Sequence, residues 1–180
     1  LLGGVQKYKT TRNLLVGSTN TPAYSRHSGF SLVPHVGAGF NIPTAHGTVS
    51  PFVNVDYVNI AERAYTERAG GAGASFVKSR VATLLRSEAG LGLSKDFAFE
   101  KGSYAPYARL SYVLNTPLQK GNASGTVLGS SQDFTMASFQ KRTHHISPTL
   151  GFSLNHDNGI YGGLNLTGEY GAGYRSSETS

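Results

Sequence analysis

His145-Ile146-Ser147 sets a histidine two residues from a serine, the two side-chain types that act together when an imidazole activates a hydroxyl for ester hydrolysis. In an extended chain the two side chains share a face. The third member of such a triad is not identifiable from the sequence. Metal chemistry has weaker support, because none of the six histidines has a convincing ligand spacing, and adjacent His144 and His145 point to opposite faces of a strand. The remaining chemistry-bearing residues are charged and amide side chains: Asn54, Asp56, Glu67, Arg86, Glu88, Arg109, Asn165 and Glu169. Arg86 and Glu88 lie two apart on one face, which suits them to ion pairs with neighbouring strands.

The elements that must position these residues are strands. In 180 residues, 38% are hydrophobic and only 14% charged, an odd balance for a soluble protein. No window approaches the roughly 20 apolar residues of a membrane-spanning helix, and Leu1-Leu2-Gly3-Gly4 lacks the basic start and apolar core of a signal peptide. The 23 glycines, 10 tyrosines and 9 phenylalanines suit closely packed β-structure with aromatic anchors. The absence of cysteine fits passage through an oxidising compartment. A net charge of +6 is spread over scattered lysines and arginines, with no run longer than Lys141-Arg142, which argues against nucleic acid as a partner.

Period two recurs along the chain. Phe30, Leu32, Pro34, Val36, Ala38, Phe40 and Ile42 alternate with Ser31, Val33, His35, Gly37, Gly39 and Asn41. Val53, Val55 and Tyr57 alternate with Asn54 and Asp56, and Val81, Leu85, Ala89, Leu91 and Leu93 with Ala82, Arg86, Glu88, Gly90 and Gly92. Tyr104, Pro106, Ala108, Leu110, Tyr112 and Leu114 oppose Ala105, Tyr107, Arg109, Ser111, Val113 and Asn115. Ile146, Pro148, Leu150, Phe152 and Leu154 oppose His145, Ser147, Thr149, Gly151 and Ser153. Finally Ile160, Leu164, Leu166, Tyr170, Ala172 and Tyr174 oppose Tyr161, Asn165, Thr167, Glu169 and Arg175. Stretches of about 10 to 14 residues exceed soluble strands and match tilted strands that cross a bilayer.

Connection lengths separate a membrane barrel from a soluble sandwich. Residues 43–47 and 155–159 make short turns and 95–103 a somewhat longer one, whereas 61–74 and 116–133 are long, Gly-rich and polar. Tight turns on one side and extended loops on the other are the rule for outer-membrane barrels, which puts 43–47 and 155–159 in the periplasm and the long loops outside. Pro34, Pro106 and Pro148 should each mark a bulge, a break or a strand end. Residues 1–28 alternate poorly; they are expected to hold an ascending strand over 3–15, an outer loop and a descent starting near Tyr24. The expectation is an all-β, transmembrane, antiparallel up-and-down β-barrel with seven strands present. An odd number of strands leaves open edges, which lipid does not tolerate, so the chain reads as part of a barrel. Parity puts Asn54, Asp56, Arg86, Glu88, Arg109, Asn165 and Glu169 on the lumenal side, where a water-filled interior needs hydrogen-bonding groups.

In the order of its motifs, the chain resembles the C-terminal translocator domain of autotransporters, the type V secretion family. Arg12-Asn13-Leu14, Ala23-Tyr24-Ser25 and Gly29 are similar to that domain's opening Arg-x-Ile stretch, loop and glycine. Gly39-Phe40, then Ser50-Pro51-Phe52-Val53-Asn54-Val55-Asp56-Tyr57, resemble its Gly-Tyr and its Ser-Pro-x-x-x-Leu-x-Tyr strand. Ala64-Tyr65-Thr66-Glu67-Arg68-Ala69-Gly70 resembles Gly-Phe-x-Glu-x-Gly, the strand from Leu84 to Leu91 its Leu-Gly ending, and Pro106-Tyr107-Ala108-Arg109-Leu110 completes the run. The resemblance implies a twelve-stranded barrel ending in an aromatic residue. Residues 175–180 depart from that and read as the start of an outer loop, so residues 1–180 are expected to be a partial barrel, with four strands and the passenger before Leu1 and one strand after Ser180.

The resemblance further implies a translocator that anchors an N-terminal passenger at the surface of the bacterial outer membrane. Its partners would be outer-membrane lipid, its own passenger or linker segment in the lumen and the outer-membrane barrel assembly machinery, with no cofactor, no metal and no enzymatic activity. Glu67 would take the family's motif position at the inner mouth of an outer loop. Two other readings stand beside it: an esterase similar to outer-membrane lipid A deacylases through His145 and Ser147, and a simple porin or adhesin barrel. Against the esterase, Ile146, Leu150, Phe152 and Leu154 take the lipid side, so His145 and Ser147 face away from a lipid substrate.

Overall fold

The computed structural model describes residues 1–180 apart from 17, 70–72, 131, 139–140, 172–173 and 180. Gly70, Ala172 and Ser180 of the sequence reading therefore lie outside the described residues.

The described residues form strands and no helix. The elements are β1 (Leu2–Val16), β2 (Thr19–Val33), β3 (His35–Gly39), β4 (Ile42–Thr44), β5 (Gly47–Glu62), β6 (Tyr65–Thr66), β7 (Arg68–Ala69) and β8 (Ser75–Val77). They continue with β9 (Arg80–Ser94), β10 (Phe97–Phe99), β11 (Gly102–Lys120), β12 (Ala123–Val127), β13 (Asp133–Met136), β14 (Thr143–His156), β15 (Tyr161–Gly171) and β16 (Tyr174–Thr179). One sheet runs β1-β2-β5-β9-β11-β14-β15-β16 in chain order, with β3 and β4 beside β5, β7 beside β2 and β10 beside β11. Such sequential antiparallel neighbours define an up-and-down meander.

Two compact units divide the chain. The first comprises Leu1–His35, Tyr57–Leu85 and Pro117–Lys141. In it β1 and β2 pair along their full length, from Leu2 opposite Val33 to Val16 opposite Thr19. The expected outer loop before Tyr24 is thus only a tight connection, because the descending strand starts at Thr19. The long segments are not irregular either. β13, β12, β8 and β6 form a second, four-stranded sheet, in which Gly125 pairs with Val77 and Phe134.

The second unit comprises Val36–Asp56, Arg86–Thr116 and Arg142–Ser180. Here β11 and β14 stay in register from Gly102 opposite His156 to Asn115 opposite Thr143. The β14–β15 turn needs a left-handed residue, supplied by Gly159 at φ +87, whose N–H donates to His156 O at 2.9 Å. Tyr174–Thr179 pairs back on β15, with Gly171 opposite Tyr174 and Leu166 opposite Thr179. This corrects the expected outer loop for residues 175–179 and raises the main path from seven strands to eight. A six-residue strand without clear alternation carries little period-two signal.

The prolines behave unequally. Pro34 separates β2 from β3, while its carbonyl accepts from Tyr57 N at 3.1 Å. Pro148 keeps its place opposite Leu110 but sits where the β14–β15 ladder lapses between Ile146 and Thr149. Pro106 lies within unbroken β11, contrary to expectation; proline removes a donor only, and its carbonyl still accepts from Lys95 N at 3.3 Å.

The distribution of side chains is inverted relative to a soluble fold. Leu110, Leu150 and Ile146 are at least half exposed, whereas Ser111, His145 and Ser147 are buried on the other face of the same strands. The buried apolar set among the described residues is small: Ala23, Ala74, Val77 and Val113.

Candidate functional site

The polar face carries organised charge in each unit. In the first, Arg12 of β1 donates through Nε to Glu67 Oε1 at 3.1 Å and through Nη2 to Oε2. Arg12 Nη2 also reaches Ser75 Oγ at 3.3 Å. Glu67, between β6 and β7, accepts the Ser75 N–H at 3.1 Å, and its own N–H donates to Ser75 O at 2.8 Å. The carboxylate is only 8% exposed, so these bonds replace its water and tie the long segment to β1. Glu67 thus belongs to this segment rather than to a membrane-crossing strand.

Beside it, Glu62 accepts from Arg80 through Nη2 at 2.8 Å and Nε at 3.0 Å, and His27 Nε2 lies 3.4 Å from the same carboxylate. The His27 ring is stacked between Tyr8, 4.9 Å away, and Tyr65, 4.0 Å away and nearly parallel. Burial holds the Tyr65 phenol above its ordinary pKa, against the lowering pull of Arg80. None of Tyr8, His27, Glu62 and Arg80 stood among the expected site residues. The signal was available: Glu62 continues the parity of Asn54 and Asp56, and Arg80 that of Arg86 and Glu88.

In the second unit, three expected residues meet. Arg109 Nη2 donates to Glu88 Oε1 at 3.1 Å, and the Asn54 amide sits between them. It donates to Glu88 Oε2 at 3.3 Å in one orientation and, turned over, accepts from Arg109 Nη2 at 3.3 Å. The Arg109 guanidinium also lies over the Phe52 ring at 3.6 Å. That ring in turn covers Gly90, where a Cβ would stand 2.6 Å from Phe52 Cζ. Two further expected residues meet across intervening strands: Arg86 Nη2 of β9 donates to Glu169 Oε1 of β15 at 3.1 Å. His145 Nε2 of β14 lies 3.4 Å from the same oxygen. Arg86 and Glu88 therefore pair separately, with Glu169 and Arg109. Asp56 and Asn165 sit half-buried at matching parity. Ser147, buried on the same face as His145, accepts a bond from Ser111 Oγ to its carbonyl at 3.4 Å. Among the described residues no cluster of metal-ligating side chains is found.

Long antiparallel strands with leucines outward and ion pairs on the opposite face define the wall of a membrane-spanning β-barrel. Consistent with that class, the autotransporter beta-domain family model matches residues 1–167. The chain belongs to this family, and it is a translocator domain of the bacterial outer membrane serving a passenger segment. No curated protein and no solved structure matches the chain.

Proposed function

We propose that the face bearing Asn54, Asp56, Arg86, Glu88, Arg109, Asn165 and Glu169 lines the lumen through which the passenger is exported, and that a linker segment afterwards rests against it. One observation supports this above others: on β11 and β14 leucines are exposed while serine and histidine are buried, the reverse of a water-soluble sheet. Lipid accepts the first face and rejects the second. Glu67, fixed to Arg12, holds the long segment 63–79 on the extracellular side. Lipid of the outer membrane and the barrel assembly machinery are the partners such a domain requires for insertion. The polar face acts as a conduit and carries no catalysis; His145 faces Glu169, and its place on this face directs it away from lipid esters.

Because the chain has no cysteine, single cysteines report sidedness without background. In vesicles, Thr149→Cys and Asn165→Cys should react with a water-soluble maleimide, and Leu150→Cys and Leu164→Cys should resist it. Equal labelling of both sets would refute the lumenal assignment. For the passenger, Arg86→Ala should slow surface display of a fused passenger; unchanged display together with unchanged heat stability would remove the role.

A further inference from the structure

The outward face of the first unit carries a group of cations with no carboxylate at the same register positions. Lys7 stands opposite Ser28, and Arg63 donates its N–H to the Ser28 carbonyl at 3.0 Å, so Lys7 and Arg63 flank Ser28. Two residues further along, Lys9 is directly opposite Arg26. Two further still, Thr11 is opposite Tyr24 and Tyr24 opposite Arg68. All five cations are exposed, and among the described residues none has an ion-pair partner. The carboxylate next to Arg63, Glu62, is committed to Arg80 and His27.

Like charges opposite one another on paired strands repel, so Lys9 against Arg26 costs stability unless an anion lies between them. What lies next along the same face identifies the anion. Val5 and Phe30, 74% and 47% exposed, continue the face two residues below Lys7 and Ser28. A hydrocarbon surface followed by a level of cations, with Tyr24 standing among them opposite Arg68, is the order of acyl chains and then headgroups at the edge of a bilayer.

We propose that Lys7, Lys9, Arg26, Arg63 and Arg68 bind the phosphate-bearing headgroup of an outer-leaflet lipid whose acyl chains lie on Val5 and Phe30. This rests on the reading that the long loops face the cell exterior. The guanidinium groups offer paired donors to phosphate oxygens, and the lysines add point charge. Bound lipid removes the Lys9–Arg26 repulsion and so tightens the β1–β2 pair.

The test uses the folded full-length protein in neutral detergent, titrated with phosphorylated lipid A, with dephosphorylated lipid A and with inorganic phosphate. Binding is read as a rise in the temperature at which the compact form is lost on gel electrophoresis. Phosphorylated lipid A should stabilise the protein, increasingly so at low salt, and the other two should not. Lys9→Gln/Arg26→Gln should weaken binding about 25-fold, at about fivefold per cation, while Lys95→Gln leaves it unchanged. Should the double variant not fold, Lys7→Gln and Arg68→Gln should each show the fivefold loss. Unaltered affinity in these variants, equal binding of dephosphorylated lipid, or equal binding of inorganic phosphate would each overturn the proposal. Failure of the reading that the long loops face outward would look different, since Thr66→Cys would then escape a membrane-impermeant maleimide on intact cells whether or not the protein binds lipid A in detergent.

Discussion

Gly90→Ala should destabilise the barrel, although the same change elsewhere in a strand stabilises it. Strand glycine normally costs about 0.5–1 kcal/mol relative to alanine, so an unconstrained site gains on substitution. At Gly90 a Cβ would lie 2.5 Å from Leu110 O, 2.6 Å from Phe52 Cζ and 2.7 Å from Ser111 Cβ. The ring can turn aside only by leaving Arg109, which stacks on it at 3.6 Å and supplies about 0.5–2 kcal/mol. The Leu110 carbonyl belongs to the backbone, and shifting it is an overpacking cost of about 1–3 kcal/mol. Net of the alanine gain, these predict a loss of about 1–4 kcal/mol, or about 0.5–2 M in the urea midpoint for a typical slope. Unfolding is followed by far-ultraviolet circular dichroism of the protein in micelles. Gly162→Ala is the matched control, because nothing lies within 4 Å of a Cβ there, and it should be neutral or slightly stabilising. Adding Phe52→Leu to Gly90→Ala should recover the part owed to the ring and leave the part owed to Leu110. A Gly90→Ala protein as stable as Gly162→Ala would refute the close approach.

Arg12→Ala leaves Glu67 without its cation but still bonded to the Ser75 N–H; with Arg12 itself 47% exposed, the loss should be about 1–2 kcal/mol. It should appear as faster proteolysis within 63–79, and an unchanged cleavage rate counts against the tie. A double-mutant cycle on Glu88→Gln and Arg109→Gln should give a coupling of about 0.5–1.5 kcal/mol that shrinks in salt, since Arg109 is 37% exposed; additive effects would dissolve the pair. Burial raises the Tyr65 pKa, so the neutral phenol stabilises the fold fully below about pH 10, and that contribution is lost as pH rises through the higher folded value. Tyr65→Phe should therefore remove a step more alkaline than free tyrosine from the absorbance titration and flatten the alkaline loss of stability.

The alternation was legible because a wall between lipid and a polar interior obeys the period of the strand itself. Val53, Val55 and Tyr57 against Asn54 and Asp56 needed no knowledge of partners. What depended on partners was not legible. Parity put Arg86 and Glu88 on one face, but only register decides that Glu88 meets Arg109 of the adjacent strand while Arg86 passes two strands to reach Glu169. The four-stranded sheet of β6, β8, β12 and β13 was hidden for another reason. Its strands have two to five residues, too few to show a period, and β8 pairs with β12 some fifty residues away.

The same limit explains which charges were overlooked. Glu62 and Arg80 keep the parity of the polar face, but they fall where β5 and β9 pass beyond the apolar alternation, so only parity carried past the last hydrophobic neighbour finds them. Yet the strands continue, because Gly29 to Leu32 still pair with Asn59 to Glu62. A strand longer than its apolar band must clothe the excess in polar groups on both faces, and the two faces solve this differently. Inward, Glu62 and Arg80 neutralise one another within hydrogen-bond reach, with the His27 ring beside them. Outward, Lys7, Lys9 and Arg26 stand uncompensated by any residue opposite them. One glutamate in place of Ser28 would relieve that asymmetry from within the chain; in the proposed lipid site the compensating anions belong to the membrane instead.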